Sequence, residues 1–380
     1  MSKRQLALLS GARSEYDILA PVARAILADG RADAAFILAG PNLSPFHGRA
    51  DGDGMPVRGR IESLLSSETW QGRALSFANL VEGLTRHLAD NRPDILVVAG
   101  DREEALAGAI VGNLLRVAVA HLHGGDRCVA SDVDEVLRPA ISKLAHLHFT
   151  ATEGHRQRLI GMGEPAERVW ASGAPGLDAI PAPDIDAATL SAEIGFNVDR
   201  PFFIVIQHPV TTLDSQPYRE MTTVLDAVAS LGHPVLCSYP NTDPGNVEIR
   251  RAIDQHVARG RVIPFTVLPR HRFLALYRRA AAIVGNSSSI VVESGFLKVA
   301  GVLVGPRQDL RETGPNVIRV PVDEAAIKAA CERVLNDAAF RAGVAAGSRL
   351  YGDGRASSRI AQVLAQVELT SDLLLKTMPY

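Results

Sequence analysis

Apolar runs and amphipathic patterns with helical periodicity alternate along almost the whole chain. In the first half, short apolar runs of the kind that form buried strands are separated by longer segments with helical spacing of their apolar residues. The predicted strands are residues 5–9, 34–39, 94–99, 117–122, 146–150 and 169–172. The predicted helices are residues 15–28, 102–115, 134–145 and 153–162. Continuously apolar strands joined by helices are typical of a parallel sheet covered on both faces.

The alternation is interrupted once and then resumes. The interruption, residues 173–200, is rich in proline and in small or acidic residues, which is typical of a linker. After it, the predicted strands are residues 202–206, 234–238, 262–265, 301–304 and 317–320, and the predicted helices are residues 220–230, 246–257 and 270–280. The pattern predicts an α/β fold with two Rossmann-like domains and a ligand cleft between them, at the carboxyl ends of both sheets.

The domain boundaries follow from the same interruption. We expect an N-terminal α/β domain over residues 1–175, a linker over 176–200 and a C-terminal α/β domain over 201–354. The remaining residues, 355–380, begin with a helical pattern that could cross back and pack on the first domain. A length of 380 residues is itself more than one hydrophobic core usually supports.

Composition narrows the class of protein. The formal net charge is −2 and the sequence has no basic arm, so the electrostatics do not favour a nucleic-acid partner. No apolar run approaches the length of a transmembrane helix, and the N-terminus lacks the long apolar region of a secretory signal. Cys128, Cys237 and Cys331 are scattered and match neither a disulfide framework nor a zinc pattern. We therefore expect a reduced, cytoplasmic protein of the size of an enzyme, with no membrane partner.

A serine-rich turn in the second half is the strongest candidate for an anion site. An apolar run ends there in the sequence Gly285-Asn286-Ser287-Ser288-Ser289, and an amphipathic run follows. This pattern predicts a strand, a tight turn and a helix N-terminus, whose unpaired amides favour phosphate. Glu293, further along the helix, could reach a ribose beside the phosphates. The alternative is that Ser288 or Ser289 merely caps the helix.

Two turns of the first half carry more polar groups than a structural turn needs. Gly11 could let the backbone approach a phosphate and Arg13 could bind it, although an isolated Gly–Arg turn is often only a turn. Asp101 follows the strand over residues 94–99. It could be a carboxylate that faces the cleft, but its spacing favours an N-cap of the next helix.

The densest polar segment is His121-Leu122-His123-Gly124-Gly125-Asp126. His121 and His123 alternate, so on a strand their side chains would point to one face. Together with Asp126 they could bind a metal, but no further ligand stands at a metal-site spacing, so we expect none. The double glycine instead indicates a close approach of the backbone, with Asp126 facing the cavity.

Four charged residues follow this segment, namely Asp132, Asp134, Glu135 and Arg138. A helix is predicted to begin near Asp134, and at least one of the two aspartates is expected to cap it.

Strand ends in the second half carry further candidates. His208 follows the strand over residues 202–206, where it could bind phosphate or transfer a proton, or could simply be satisfied by backbone groups. Arg307 and Arg311 follow the strand over residues 301–304. They could bind a diphosphate, have a structural role or form a solvated face.

Together these segments resemble the hydrolysing UDP-N-acetylglucosamine 2-epimerases, the branch that serves sialic- and legionaminic-acid-type sugar synthesis. The resemblance covers essentially the whole chain. It is carried by Gly11-Ala12-Arg13-Ser14-Glu15-Tyr16-Asp17, His121-Leu122-His123-Gly124-Gly125-Asp126, Asp134-Glu135 through Lys143-Leu144-Ala145-His146, Gly173-Ala174-Pro175-Gly176-Leu177-Asp178, His208-Pro209-Val210-Thr211, Gly285-Asn286-Ser287-Ser288-Ser289 and Gly305-Pro306-Arg307-Gln308.

The resemblance implies the two-domain glycosyltransferase-B architecture, a UDP-sugar substrate bound mainly by the second domain, and a homodimer or homotetramer. It implies acid–base or active-site roles for Asp101, Asp126, Asp134, Glu135 and His208. It implies contacts with the UDP-sugar for Arg13, Ser288, Ser289 and Glu293. We also expect UDP-sugar contacts from Gly11, His123, Asn286, Ser287, Arg307 and Arg311.

The implied reaction explains why several carboxylates are needed. Carbon 2 of an N-acetylated hexose has no adjacent carbonyl, so the nucleotide diphosphate must leave carbon 1 while a base removes the carbon-2 proton. Water then adds to the resulting 2-acetamidoglycal as an acid protonates carbon 2 from the other face, which gives the free manno-configured sugar. We expect Asp101 and Asp126 near carbon 2 and Asp134 or Glu135 on the opposite face, with no redox cofactor and no metal.

The sequence departs from the family pattern at three positions. Ile290 replaces a usual glycine after the serines, Gly295 replaces a proline, and Pro139 replaces a histidine after Arg138. Three alternatives stay open at this stage. They are a non-hydrolysing 2-epimerase, a glycosyltransferase of the same architecture, and a nucleotide-sugar-binding protein without activity.

Overall fold

The computed structural model describes residues 3–43, 53–65, 69–128, 132–180, 185–210, 214–240, 244–266 and 268–376. The chain forms two compact units. The first contains Met1–Asp126, Val133–Ala179 and Gly352–Tyr380, and the second contains Arg127–Asp132 and Ile180–Tyr351. Each unit is an α/β domain with its own sheet.

The sheet of the first unit has seven parallel strands. They are β1 (Arg4–Ser10), β2 (Ala32–Ala39), β3 (Val57–Ile61), β4 (Ile95–Ala99), β5 (Ala118–Leu122), β6 (Leu147–Thr150) and β7 (Val169–Ala171). Their order is β3-β2-β1-β4-β5-β6-β7. The winding direction reverses between β1 and β4, and the crevice beyond such a switch point is where open sheets of this kind bind ligands.

The sheet of the second unit has six parallel strands in the order β10-β9-β8-β11-β12-β13. They are β8 (Phe203–Ile206), β9 (Val235–Ser238), β10 (Ile263–Phe265), β11 (Ala282–Gly285), β12 (Ala300–Val304) and β13 (Val317–Val320). Here the switch point lies between β8 and β11, so the turns that follow these two strands are neighbours.

Helices connect the strands in both units. In the first unit they are α1 (Arg13–Asp29), α2 (Trp70–Asp90), α3 (Glu103–Leu114), α4 (Asp132–Leu144) and α5 (Glu153–Gly161). In the second they are α6 (Ala187–Ile194), α7 (Pro217–Ala229), α8 (Asn246–Ala258), α9 (Arg270–Arg279), α10 (Ser288–Val292), α11 (Ser294–Leu297), α12 (Glu324–Asn336) and α13 (Ala338–Ala346). The chain ends in the first unit with α14 (Ala356–Gln366) and α15 (Ser371–Leu374).

Both faces of the first sheet are covered, as continuously apolar strands require. Leu8 and Val97 face a core shared with α1 and α14. Leu9 and Val98, their neighbours along the strands, face the opposite core, which is shared with α2, α3 and α4. No helix in the described part of the chain combines the length and apolarity needed to cross a membrane.

The predicted strands and helices are confirmed to within a few residues, and so is the α/β class with two parallel sheets. The prediction missed β3, α2, α12, α13 and α15. It also missed α6, which lies inside the expected linker, where the Asp186 side chain caps its start and Gly195 its end. Pro181 and Pro183, which marked that linker, lie outside the described residues.

The missed elements of the first unit have weak apolar patterns. In α2, the buried apolar side chains are Leu80, Leu84 and Leu88, one per turn of its second half. Such a stripe is narrower than the one that identifies a globular helix. In β3, two arginines and a glycine separate the two apolar ends of the strand.

The C-terminal segment is joined to the first unit by a buried ionic cluster. The Glu164 side chain has no exposed surface and lies 2.7 Å from Lys143 Nζ, 2.9 Å from His148 Nε2 and 2.6 Å from Lys376 Nζ. Lys376 Nζ also donates to the Ala145 carbonyl oxygen at 2.6 Å. Burial would raise the pKa of Glu164, but hydrogen bonds from His148, Lys143 and Lys376 outweigh it and lower this pKa to about 2.

We predict that Glu164→Gln lowers the free energy of unfolding by about 3 kcal/mol at pH 7, because it leaves buried cations without their carboxylate. The pKa of Glu164 is lower in the folded than in the unfolded chain. Its contribution is therefore complete above the unfolded pKa of about 4 and disappears as the pH falls towards 2. Urea unfolding of wild type and variant between pH 7 and pH 3 measures this difference.

Glu167→Gln is the matched control, since Glu167 is exposed and three residues away. A Glu164→Gln difference that stays constant over this pH range would contradict the ionic account.

Candidate active site

A buried arginine brings together several of the predicted acidic positions in the first unit. Arg138, in α4, has only 2% of its side chain exposed. Its Nη2 donates to Asp101 Oδ2, and its Nη1 donates to Glu135 Oε1. The same Nη1 donates to the backbone carbonyl oxygen of Asp126 at 2.9 Å. Because arginine presents its donors in a fixed planar fork, one side chain sets the positions of all three partners.

This contact corrects the expectation that Asp101 caps a helix. The N-cap of α3 is Arg102, and it makes no side-chain cap hydrogen bond. The carboxylate of Asp101 instead binds Arg138, a residue 37 positions further along the chain. Asp101 therefore lies in the turn after β4 with its carboxylate paired to Arg138.

Asp134 lies close enough to this group for its charges to act on the Asp134 carboxyl. Burial, and then the negative charge of Asp101, raise the pKa of Asp134 to about 6. The positive charges of Arg102, Arg138 and Arg73 only partly offset this rise. The helix α4 already begins at Asp132, so Asp134 lies within its first turn. The Asp132 side chain lies outside the described residues.

Gly124 and Gly125 pack closely against other residues of the protein, where a larger residue would not fit. Gly125 has φ 76°, and a Cβ there would lie 2.3 Å from the His155 carbonyl oxygen. A Cβ on Gly124 would lie 2.8 Å from Ser142 Oγ. This packing places Asp126 Oδ1 3.3 Å from His155 Nε2. The Asp126 side chain is 9% exposed. Sequence reasoning did not single out His155.

The expectation that His121 and His123 share one strand face is wrong. The strand β5 ends at Leu122, and His123 adopts a left-handed conformation with φ 65°. His121 is fully buried, with Nδ1 3.0 Å from Ser142 Oγ and Nε2 2.8 Å from the Gly100 carbonyl oxygen. Both ring nitrogens of His121 are thus engaged within the protein. Across the described ranges, no three His, Cys, Asp or Glu side chains have the arrangement of a metal site.

The turn after β1 has a structural reason for its glycine. The Glu15 carboxylate accepts from the backbone amides of Gly11 at 2.7 Å and Ala12 at 3.0 Å. A Cβ on Gly11 would overlap Glu104, 2.1 Å from its Cγ. Burial and the charge of Glu104 raise the pKa of Glu15 to about 8. The Gly11 amide is therefore already used, while Arg13 is the first residue of α1.

Sequence reasoning missed the roles of Glu15 and Glu104. A glutamate at the third helical position is the signature of a capping box, which could have identified Glu15. The approach of Glu104 to Gly11 depends on tertiary packing and had no local signal.

In the second unit, Asn286 holds the backbone of His208. Its Oδ1 accepts from the His208 amide at 2.8 Å, and its Nδ2 donates to the His208 carbonyl oxygen at 2.9 Å. Its own carbonyl oxygen accepts from Gln308 Nε2 at 3.0 Å and Arg307 Nη1 at 3.3 Å. This changes the interpretation of Asn286, because its side-chain amide is occupied by the protein and is not presented to a ligand. Three strand-end turns meet at this residue.

His208 itself is neutral under ordinary conditions. Burial, together with the positive charge of Arg307, lowers the pKa of His208 to about 3. An imidazole of this kind can donate or accept one hydrogen bond without introducing a charge. Thr211, which belonged to the same predicted segment, lies outside the described residues.

The serine-rich turn leads into two short helices instead of one long helix. The N-cap of α10 is Ser287, whose Oγ accepts from the Ser289 amide at 3.3 Å, so neither Ser288 nor Ser289 is the cap. The helix ends after five residues, and α11 follows. The helix dipole available to an anion is correspondingly smaller than the sequence suggested.

Glu293 lies at the junction of these two helices. Its Oε1 accepts from Arg270 Nη2 at 2.5 Å. Its Oε2 is buried and has no hydrogen-bond partner among the described residues. A buried carboxylate oxygen is costly to leave unpaired, so this atom could accept a hydrogen bond from a hydroxyl group of a ligand.

Arg311, four residues after Arg307, donates to Gln308 Oε1 at 2.8 Å.

We predict that Asn286→Ala lowers the free energy of unfolding by about 2 kcal/mol, because the backbone amide and carbonyl of His208 both lose their partner. The imidazole signals of His208 should shift in the NMR spectrum of the variant. Asn336→Ala is the control, since Asn336 is exposed in the same unit. Unchanged His208 signals would show that Asn286 does not position this histidine.

Comparison with known proteins gives this geometry a family context. A sequence model described as UDP-N-acetylglucosamine 2-epimerase matches residues 24–365. A Legionella pneumophila protein named UDP-N,N'-diacetylbacillosamine 2-epimerase (hydrolyzing) is 32% identical over 382 aligned positions, which cover 99% of this chain and 100% of that protein. A Campylobacter jejuni protein named GDP/UDP-N,N'-diacetylbacillosamine 2-epimerase (hydrolyzing) is 27% identical, over 85% of this chain and 86% of the relative.

Solved structures agree on the fold. The structure of the Neisseria meningitidis UDP-GlcNAc 2-epimerase bound to UDP-GlcNAc superposes with a TM-score of 0.82 at 18% identity, over 96% of this chain and 100% of that one. The family model spans most of this chain, and the Legionella relative matches it along its whole length. The chain therefore belongs to the UDP-N-acetylglucosamine 2-epimerase family.

Proposed function

We propose that the protein is a hydrolysing 2-epimerase that converts a UDP-linked N-acetylated hexose to the free manno-configured sugar and UDP. We further propose that the hexose is a 2,4-diacetamido trideoxy sugar of the N,N'-diacetylbacillosamine type. The names of the Legionella and Campylobacter relatives support this choice. The observation that carries the proposal is the arrangement of Asp101, Glu135 and Asp134 around Arg138.

Asp134 is the carboxylate of this arrangement whose pKa is raised into the range of a general base. Asp101 and Glu135 are ion-paired with a buried guanidinium, whereas Asp134 has a pKa near 6. A general base works best when its pKa lies near the working pH, because it is then deprotonated yet still basic. We assign Asp134 as the base that removes the carbon-2 proton.

The other carboxylates are assigned complementary tasks. Positive charge develops at carbon 1 as UDP leaves, and an ionised carboxylate such as Asp101 would stabilise it. Asp126, which lies against the His155 imidazole, is assigned as the acid that protonates carbon 2 of the 2-acetamidoglycal as water adds to carbon 1. Glu135 shares Arg138 with Asp101 and is assigned to holding that side chain in place.

In the second unit, we assign the nucleotide to the groups around the end of β11. The unpaired Glu293 Oε2 would accept a ribose hydroxyl, and the α10 amides with Ser288 and Ser289 would contact phosphate. Arg307 and a neutral His208 would contact the diphosphate as it leaves. A neutral imidazole placed next to a phosphate could also gain a proton, because the negative charge raises its pKa. No step in this scheme requires a redox cofactor.

The direct test is proton and phosphorus NMR of the protein with UDP-N,N'-diacetylbacillosamine in heavy water, with UDP-N-acetylglucosamine in a parallel tube. We expect free UDP and a free manno sugar deuterated at carbon 2. An intact UDP-linked manno sugar would instead identify a non-hydrolysing epimerase. An absence of turnover with both substrates would contradict the proposed function.

A second test concerns Asp134. As a base it must be deprotonated, so kcat/KM is predicted to rise with pH and to level off above about 6. Asp134→Asn should lower kcat by at least about 100-fold while leaving UDP affinity within about two-fold. Calorimetric titration with UDP measures the UDP affinity. A variant with near wild-type kcat would remove Asp134 from the role of base.

A further inference from the structure

An apolar pocket of about 310 Å³ opens in the first unit between α2, α3 and α4. Its apolar walls are Trp70, Phe77, Leu106, Val133 and Leu137, and we call it the Trp70 pocket. Its charged lining residues are Arg73 and Glu103, which are joined by two hydrogen bonds of 2.7 and 2.9 Å. These charged groups are already paired with each other, so the pocket suits an apolar group.

Trp70 is exposed and yet held in position. Two-thirds of the residue is accessible, at 67%, which is unusual for the largest apolar side chain. The Arg73 guanidinium lies 5.7 Å from the centroid of its ring, within the range of a cation–π contact. Because Glu103 fixes Arg73 in turn, the indole ring is preorganised without being covered.

Two residues that line the pocket are near neighbours in sequence of carboxylates assigned to catalysis. Glu103, the first residue of α3, lies two residues after Asp101, and Val133 immediately precedes Asp134. Val133 and Leu137 are four residues apart and share one side of α4. Asp134 and Arg138 are also four residues apart and share the adjacent side.

The charges that act on Asp134 also indicate that it lies near the Trp70 pocket. Burial and Asp101 raise the pKa of Asp134, and Arg73 is close enough to be among the cations that oppose this rise. A group bound beside Asp134 can therefore extend a substituent towards Arg73 and the pocket.

We propose that the Trp70 pocket is a sugar subsite that receives apolar substituents of the hexose and selects a diacetamido trideoxy sugar over N-acetylglucosamine. The inference rests on the proposed function, since it assumes a sugar held at these carboxylates. The trideoxy sugar carries a methyl group at carbon 6 and an acetamido methyl at carbon 4, where N-acetylglucosamine has hydroxyls. Hydroxyls placed in this pocket would lose water and find the charged groups already paired.

The test combines a binding measurement with a comparison of two substrates. Saturation-transfer difference NMR is recorded with UDP-N,N'-diacetylbacillosamine on Asp134→Asn, a background in which turnover is suppressed. We expect strong saturation of the carbon-6 and carbon-4 acetamido methyls. Adding Trp70→Ser should reduce that saturation several-fold relative to the uracil protons. Adding Leu75→Ser should not, since Leu75 is 48% exposed on α2 but does not line the pocket.

In the otherwise wild-type protein, Trp70→Ser should lower the ratio of kcat/KM for the diacetamido substrate to that for UDP-N-acetylglucosamine by about ten-fold or more, the range of selectivity that apolar pockets provide. Leu75→Ser should leave this ratio unchanged. Equal saturation with and without Trp70 would overturn the inference. So would a Trp70→Ser protein whose sedimentation changes while its substrate ratio does not, because the pocket would then be a subunit contact.

These outcomes are distinguishable from a failure of the proposed function. Were the wild-type protein to turn over neither sugar, the proposed function would fail, and the methyl saturation pattern would still decide whether the pocket binds the substituents. A lack of saturation even at the uracil protons would count against both.

Discussion

A buried guanidinium has to be neutralised, and in the first unit this requirement arranges the acidic residues. Arg138 is almost fully buried, and its donors are taken by Asp101, Glu135 and the Asp126 carbonyl oxygen. Burial alone would lower the pKa of Arg138, but these carboxylates raise it above its usual value, so the side chain stays charged. Removing one member of such a group leaves an uncompensated buried charge, which is why the set behaves as a unit. Asp134 lies within the field of these charges, and its pKa is raised to about 6.

The strand order explains why turns that are far apart in sequence act together. In parallel sheets the carboxyl ends of all strands lie at one edge, and the turns on either side of the switch point face a common crevice. The turns after β1 and β4 are such neighbours in the first unit, and those after β8 and β11 are neighbours in the second. The two hydrogen bonds between the Asn286 side chain and the His208 backbone, which we call the Asn286 clamp, follow from this strand order. They join the turns after β8 and β11. The fold thus provides the positions, and the local residues provide the chemistry.

The sequence predicted the parts of this architecture that depend on local pattern. Continuously apolar strands and amphipathic helices have a clear signal, and polar residues at strand ends marked the turns that carry Asp101, Asp126 and His208. Contacts between distant residues had no such signal. The pairing of Arg138 with Asp101 spans 37 positions, and the Asn286 clamp spans 78. Asp101 therefore resembled an ordinary helix cap, Asn286 resembled a ligand-binding residue, and the Trp70 pocket, built from three helices, was not visible at all.

The central claim is that Arg138 holds its two carboxylate partners in ion pairs and leaves Asp134 to exchange a proton near neutral pH. Carbon-13 NMR titration of the aspartate carboxyl groups tests it most directly. The account predicts one carboxyl signal in the wild-type protein with a midpoint near 6, deprotonated above that pH and missing in Asp134→Asn. The claim would be contradicted if the signal lost in Asp134→Asn titrated near 4, the ordinary value for an aspartate.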